Sequence, residues 1–169
     1  YASKVMAMAT NDIVMNMGEK AYRDNFAHVI SNEFEACVFA NVATTAIAAA
    51  INYGNRENAK VDNGIPFAHS LYYAVRNIFT QEARDFLHGE IVGLGLRAQL
   101  AVYKKSEFEI KNFCRFLDAI GQPKSIKDLG IDPTDENINR LASECIVVWG
   151  KKPDWFKPII QEALHLIKE

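Results

Sequence analysis

An all-α fold, a bundle of six to eight helices, is what this sequence predicts, and three observations carry the prediction. Glycine and proline are sparse, nine and five in 169 residues, and no proline precedes Pro66. A strand-and-turn fold would need more of both. Apolar residues recur at helical spacing in one segment after another. Helix start and stop signals punctuate those segments, among them Ser106 with Glu109 and Gly121 with Pro123. The chain is long enough for one helical domain over residues 1–169 with a sizeable core, burying roughly two-thirds of its unfolded surface.

The first element is a helix over 2–17, with Val5, Met6, Ala9, Ile13 and Met17 at helical spacing. Gly18 is a break or a thin spot, since glycine costs about 1 kcal/mol against alanine inside a helix. A second helical stretch runs from Glu19 to Ile30. All four methionines fall in this region, at 6, 8, 15 and 17, and read as adaptable core. Ser31 or Asn32 is the N-cap of a helix over 33–52. Its alanine-rich half, Ala43 to Ala50, is apolar nearly all round, which predicts a central helix buried on most sides.

Residues 53–64 form a polar loop, with Gly54 as a C-cap and Asn63-Gly64 as a turn. Pro66 suits the first turn of a helix reaching Phe79. Thr80-Gln81-Glu82 has N-cap character, and His88 opens a helix to Tyr103 with Val92, Leu96, Leu100 and Tyr103 on one face. Gly89, Gly93 and Gly95 inside that pattern indicate close packing or room for a ligand. Ser106 and Glu109 make a capping box for a helix over 107–120. Residues 122–133 are a connector pinned by Ile126, Leu129 and Ile131. Thr134 begins a helix to Trp149, Gly150 ends it, and Pro153 or Asp154 begins the last, to Lys168.

Composition excludes several classes of function. The net charge is −2, with acidic and basic residues interspersed, so no basic stripe points to nucleic acid. The apolar run 38–51 is interrupted by Asn41, Thr44 and Thr45 and falls short of the roughly 18 residues that span a bilayer, so no membrane association is expected. Cys37, Cys114 and Cys145 are odd in number and widely spaced, which argues against a disulfide framework and for a reduced, cytoplasmic setting. No phosphate loop, Gly-x-Ser-x-Gly or Gly-x-Gly-x-x-Gly occurs. The chain begins with Tyr1, as expected of a fragment, a processed form or an incomplete chain.

The chemistry concentrates in Asn63 to Val75 and in Phe86-Leu87-His88-Gly89-Glu90-Ile91-Val92-Gly93-Leu94-Gly95. His69 and His88 each lie beside a small residue and an apolar helical run. An imidazole among apolar side chains is ordinarily a satisfied core residue, but it needs a partner for its ring nitrogens. Two such residues on neighbouring helices can share one partner, and a metal ion satisfies both. A helix from His69 to Phe79 rises about 15 Å, and the nine residues on to His88 can return as much as roughly 30 Å when extended. Glu90 either hydrogen-bonds a ligand histidine from behind or complements the helix dipole as a first-turn carboxylate. His28 and His165 read as structural or solvent-exposed, and Trp149 and Trp155 as packing under a loop.

The run Leu87 to Gly95, with a His-bearing apolar helix upstream, resembles the C-terminal helical domain of the iron-containing alcohol dehydrogenase superfamily, in its glycerol dehydrogenase-like branch. Met6 to Ala21 resembles the helix pair leading into that domain, and Leu117 to Pro123 and Asp128 to Ile131 its later helices. The resemblance covers roughly residues 4 to 146. It implies that His69 and His88 are metal ligands, for Zn2+ or Fe2+. It also implies that a further ligand, an aspartate, lies upstream of Tyr1, as does a dinucleotide-binding N-terminal domain that carries most of the NAD(P) contacts. The implied activity is NAD(P)-dependent oxidation of a small alcohol or polyol. The isolated fragment is expected to be inactive, its partners being its own N-terminal domain and further copies of the chain. Many family members place a second histidine one turn after the first ligand, where this chain has Tyr72 and Tyr73, the candidate pocket-lining residues. Two alternatives stand beside this reading: a dehydroquinate synthase-like enzyme domain, whose Gly-His-Thr-x-x-His pattern is missing around His69, and a non-catalytic helical scaffold or binding domain.

Overall fold

The computed structural model describes residues 2–54, 67–149 and 156–168. Among these every regular element is helical, and no strand occurs. In chain order the helices are α1 (Ala2–Phe26), α2 (Asn32–Phe39), α3 (Thr45–Gly54), α4 (Phe67–Ile78), α5 (His88–Val102), α6 (Glu107–Ala119), α7 (Asp135–Trp149) and α8 (Phe156–His165). A π segment (Ala40–Thr44) joins α2 to α3, and a short 3-10 turn (Lys127–Leu129) precedes α7. The all-α bundle is therefore the fold. No described helix is long and apolar enough to cross a membrane. Contacts divide the chain into two compact units, Tyr1–Asp62 and Asn63–Glu169.

In the first unit α1 packs against α2, the π segment and α3. Helix α1 runs through Gly18 without a break and ends at Phe26, so the two predicted stretches are one helix. Glycine's cost of about 1 kcal/mol is too small to interrupt a helix of this length. The end is a Schellman motif with His28 left-handed at φ 55°. His28 N–H donates to the Asn25 carbonyl at 3.2 Å and Val29 N–H to that of Asp24 at 2.9 Å. Ser31 then caps α2, its hydroxyl accepting from Phe34 N–H at 3.2 Å. Lys20 reaches Asp24 at 2.7 Å and Glu33 at 3.1 Å, tying the end of α1 to the start of α2.

The central helix expected over 33–52 is three consecutive segments, and it is not buried on most sides. Val38, Phe39, Val42 and Ile47 are exposed, and among the described residues of this unit only Ala21 and Ala40 are buried. An apolar pattern states that a helix has apolar faces; it does not say what covers them. The π turn has a local cause. The Ala40 carbonyl accepts both the Thr45 N–H, five residues on, and the Thr45 hydroxyl at 3.1 Å.

The second unit has a dense core. Phe67, Leu71, Ala74 and Val75 of α4 pack with Ile91, Leu94 and Ala98 of α5, Ile138, Leu141 and Cys145 of α7, and Ile160 and Leu164 of α8. The connector is pinned as expected: Ile126, Leu129 and Ile131 are buried, and Ile126 N–H donates to the Ile167 carbonyl at 2.7 Å. Helix α6 has its Ser106–Glu109 capping box and stops one residue early, with Gly121 left-handed at φ 70°. Thr134 caps α7 through Asn137 N–H at 3.2 Å.

Helix α5 differs from its predicted face. The buried positions are Ile91, Gly93, Leu94, Gly95 and Ala98, while Tyr103 is exposed and Val92, Leu96 and Leu100 are half-buried. Gly95 lets the backbone itself approach α4 at Ala68, and Gly93 is buried beside the Gln122 side chain, so the packed face includes positions that carry no apolar side chain. The 53–64 loop beyond Gly54, the Asn63-Gly64 turn, Pro66, Gly150, Trp155 and the start expected at Pro153 or Asp154 lie outside the described residues, as does the side chain of Trp149.

Candidate metal centre

The site is built where α4 and α5 converge. Helix α4 presents His69, Tyr72, Tyr73 and Arg76 at intervals of three, four and seven residues, which places them along one face. His88 is the first residue of α5. Between them residues 79–87 form hydrogen-bonded turns rather than a helix, and this shortens the return to His69. Phe79 N–H donates to the Val75 carbonyl at 2.8 Å, Ala83 N–H to that of Phe79 at 2.9 Å, and Phe86 N–H to that of Ala83 at 3.2 Å. Phe79 and Ala83 are buried, so the turn is anchored in the core.

Two contacts fix the crossing of α4 and α5. Gln99 accepts from Ala68 N–H at 3.0 Å, satisfying a donor that the first turn of α4 leaves open. Gly95 lies against the same residue: a Cβ there would stand 2.7 Å from Ala68 Cα and 3.0 Å from its carbonyl oxygen. These contacts fix Ala68 against the second half of α5, and from the next position the His69 ring reaches the start of α5 at His88. At that start Leu87 is extended, and its N–H donates to the Glu90 carboxylate at 2.6 Å. Glu90 thus acts as a first-turn cap, the second of the two roles open to it from the sequence.

The fold brings the two histidines together, with ring centres 5.5 Å apart. An imidazole nitrogen binds zinc at about 2.0–2.1 Å with its ring centre roughly 1.1 Å behind, so two imidazoles on one tetrahedral ion have centres about 5 Å apart. The separation of the pair is close to that value. Burial, and then the charge His88 can carry, push the His69 imidazole below its ordinary pKa of 6.5, which favours the neutral, ligating form. Among the described residues no third His, Cys, Asp or Glu completes a metal-holding group. Tyr72 packs edge-on against His88 at 4.3 Å and against Tyr73 at 5.2 Å. Tyr73 is 44% exposed.

Sequence reasoning missed Arg76 and Gln99. Arg76 lies two turns after His69 on the same face, a spacing the sequence does display. Gln99 carried no signal, because its role depends on the helix crossing. His28 and His165 are both exposed. His165 Nδ1 lies 2.7 Å from the Gln161 carbonyl oxygen, and His28 ends α1.

Two solved structures share this arrangement of helices. A probable glycerol dehydrogenase from Sinorhizobium meliloti 1021 superposes with a TM-score of 0.77 at 22% identity, over 99% of this chain and 45% of its own. A glycerol dehydrogenase from Schizosaccharomyces pombe gives 0.77 at 21%, over 99% of this chain and 41% of its own. The likeness establishes the fold. It is the fold that the resemblance of Leu87 to Gly95 implied, and this chain spans less than half the length of either protein. No protein-family model matches the sequence, and no curated protein matches it.

Proposed function

We propose that this chain is the metal-holding helical domain of a polyol dehydrogenase, working with a dinucleotide-binding domain that precedes it. The observation that carries the proposal is the pairing of His69 and His88 across the start of two helices, in a fold shared with glycerol dehydrogenases. His69 and His88 would hold a divalent zinc or iron, and an aspartate of the preceding domain would supply the third ligand. The chemistry of such an ion is Lewis-acid polarisation of an alcohol oxygen, and that of NAD(P) is acceptance of a hydride.

This chain's own residues do the rest. His69 and His88 present their ring nitrogens from backbone held by Ala68 on one side and Leu87 on the other. Tyr72 holds the His88 ring by edge-on packing. Tyr73, exposed on the same face of α4, offers a phenol that can hydrogen-bond a further hydroxyl of a polyol. The test uses the full-length protein. His69→Ala and His88→Ala are each expected to abolish zinc or iron binding and NAD(P)-linked turnover on polyols. Turnover left unchanged in either variant overturns the proposal and favours the scaffold reading.

A further inference from the structure

The turn that delivers His88 has no regular ladder of its own, yet one side chain spans it. Arg76 Nη1 donates to the Ala83 carbonyl at 2.7 Å, and Nη2 donates to the Phe86 carbonyl at 2.5 Å. The planar guanidinium thus joins two points of the turn with one rigid fork, a geometry an ammonium group cannot reproduce. Phe86 is two residues before His88. The same guanidinium lies over Tyr72, 5.6 Å from its ring centre, and Tyr72 is the ring that packs on His88 at 4.3 Å. Arg76 therefore reaches His88 by two routes, through the backbone ahead of it and through the aromatic ring beside it. Both routes start on the face of α4 that carries His69.

We propose that Arg76 is a positioning residue of the site: its guanidinium sets where His88 stands relative to His69. The inference rests on the reading of the two histidines as ligands only for its consequence on metal binding; the placement of His88 itself is independent of metal. Electrostatics alone predicts the opposite effect on affinity. A cation near a metal ion repels it, so loss of Arg76 charge would tighten binding, whereas loss of positioning weakens it.

The experiment uses full-length protein with isotope-labelled histidine and tyrosine. In metal-free protein the His88 ring signals, assigned by their loss in His88→Asn, are expected to show ring-current displacement and cross-peaks to Tyr72. In Arg76→Met both are expected to collapse toward free-histidine positions, with helical content kept. Arg76→Lys retains the charge but not the fork and is expected to lose the Tyr72 cross-peaks as well; it decides the matter if Arg76→Met does not fold. Zinc affinity by chelator competition is expected to fall about tenfold or more in both variants, the scale on which residues supporting a ligand act. Arg84→Met is the control, because it removes an exposed cation from the same turn whose partner among the described residues is Asp85. It is expected to change neither readout. Wild-type His88 signals in Arg76→Lys overturn the inference whatever zinc does. Parent protein that binds no zinc overturns the proposed function and leaves the spectroscopic arm to decide the role of Arg76.

Discussion

His69 illustrates how one half-buried side chain links the site to stability. Burial and the neighbouring His88 lower its pKa, so the folded state resists a proton that the unfolded chain accepts near pH 6.5. Below that pH the unfolded state binds more protons, and stability falls with it; above it the group contributes nothing to the pH dependence. With metal chelated, urea midpoints are expected to decline from pH 7.5 to pH 5.5. The decline should be shallower in His69→Gln, and an equally steep one would remove His69 as its source. Both histidines were legible in the sequence because an imidazole among apolar residues is conspicuous. Arg76 was not, because a charged residue late in an amphipathic helix looks like any solvated one. Its partners are backbone carbonyls, which leave no mark in a sequence.

At the scale of the element, the three glycines of α5 share a sequence context but not a role. A Cβ at Gly95 would strike the backbone of Ala68, at 2.7 Å from Cα, which cannot yield without moving α4. Gly95→Ala is expected to cost about 1–3 kcal/mol. At Gly93 the atom met is the side-chain oxygen of Gln122, at 2.8 Å, the far end of a flexible group. Gly93→Ala should be nearly neutral, since the helix propensity gained, about 1 kcal/mol, offsets the shift. At Gly89 nothing lies within 4 Å, and Gly89→Ala should stabilise by about 0.5 kcal/mol, less than in a helix interior because the position lies in the first turn. Thermal or urea unfolding of the three variants checks the order; a neutral Gly95→Ala would mean that the crossing is looser than described. The sequence marks these glycines only as a group. Which of them meets a neighbour depends on the crossing of α4 and α5, to which no local pattern gives access.

Across the whole molecule the two units differ in what they bury. Among the described residues the second holds a continuous core from Phe67 to Ile167, while the first buries only Ala21 and Ala40 and leaves Phe26, Ile30, Phe39 and Val42 exposed. Apolar burial of about 25 cal/mol per Å² is the main source of stability, so opening should be easier in the first unit. Hydrogen exchange of this chain is expected to show slow amides in α4, α5 and α7 and fast ones in α1 to α3, and equal protection would contradict the difference in burial. The helical class was legible, and so were the starts of α2, α6 and α7, because caps such as Ser31, Ser106 and Thr134 act within four residues. The exposure of the 33–52 stretch was not, since its apolar composition is the same whether or not a neighbour covers it.

The π segment between α2 and α3 holds one residue more than an α-helix would use for the same hydrogen-bonded turn. One residue of helix is a rotation of about 100°. Ala40 to Thr44 therefore works as an angular offset, choosing which flank of α3 meets α1. Deleting a single residue there would restore an unbroken helix and dial a different stripe of side chains inward. A one-codon change at this point would leave the helix intact and alter its orientation, a route by which related chains could diverge in what this unit packs against while its helices keep their lengths.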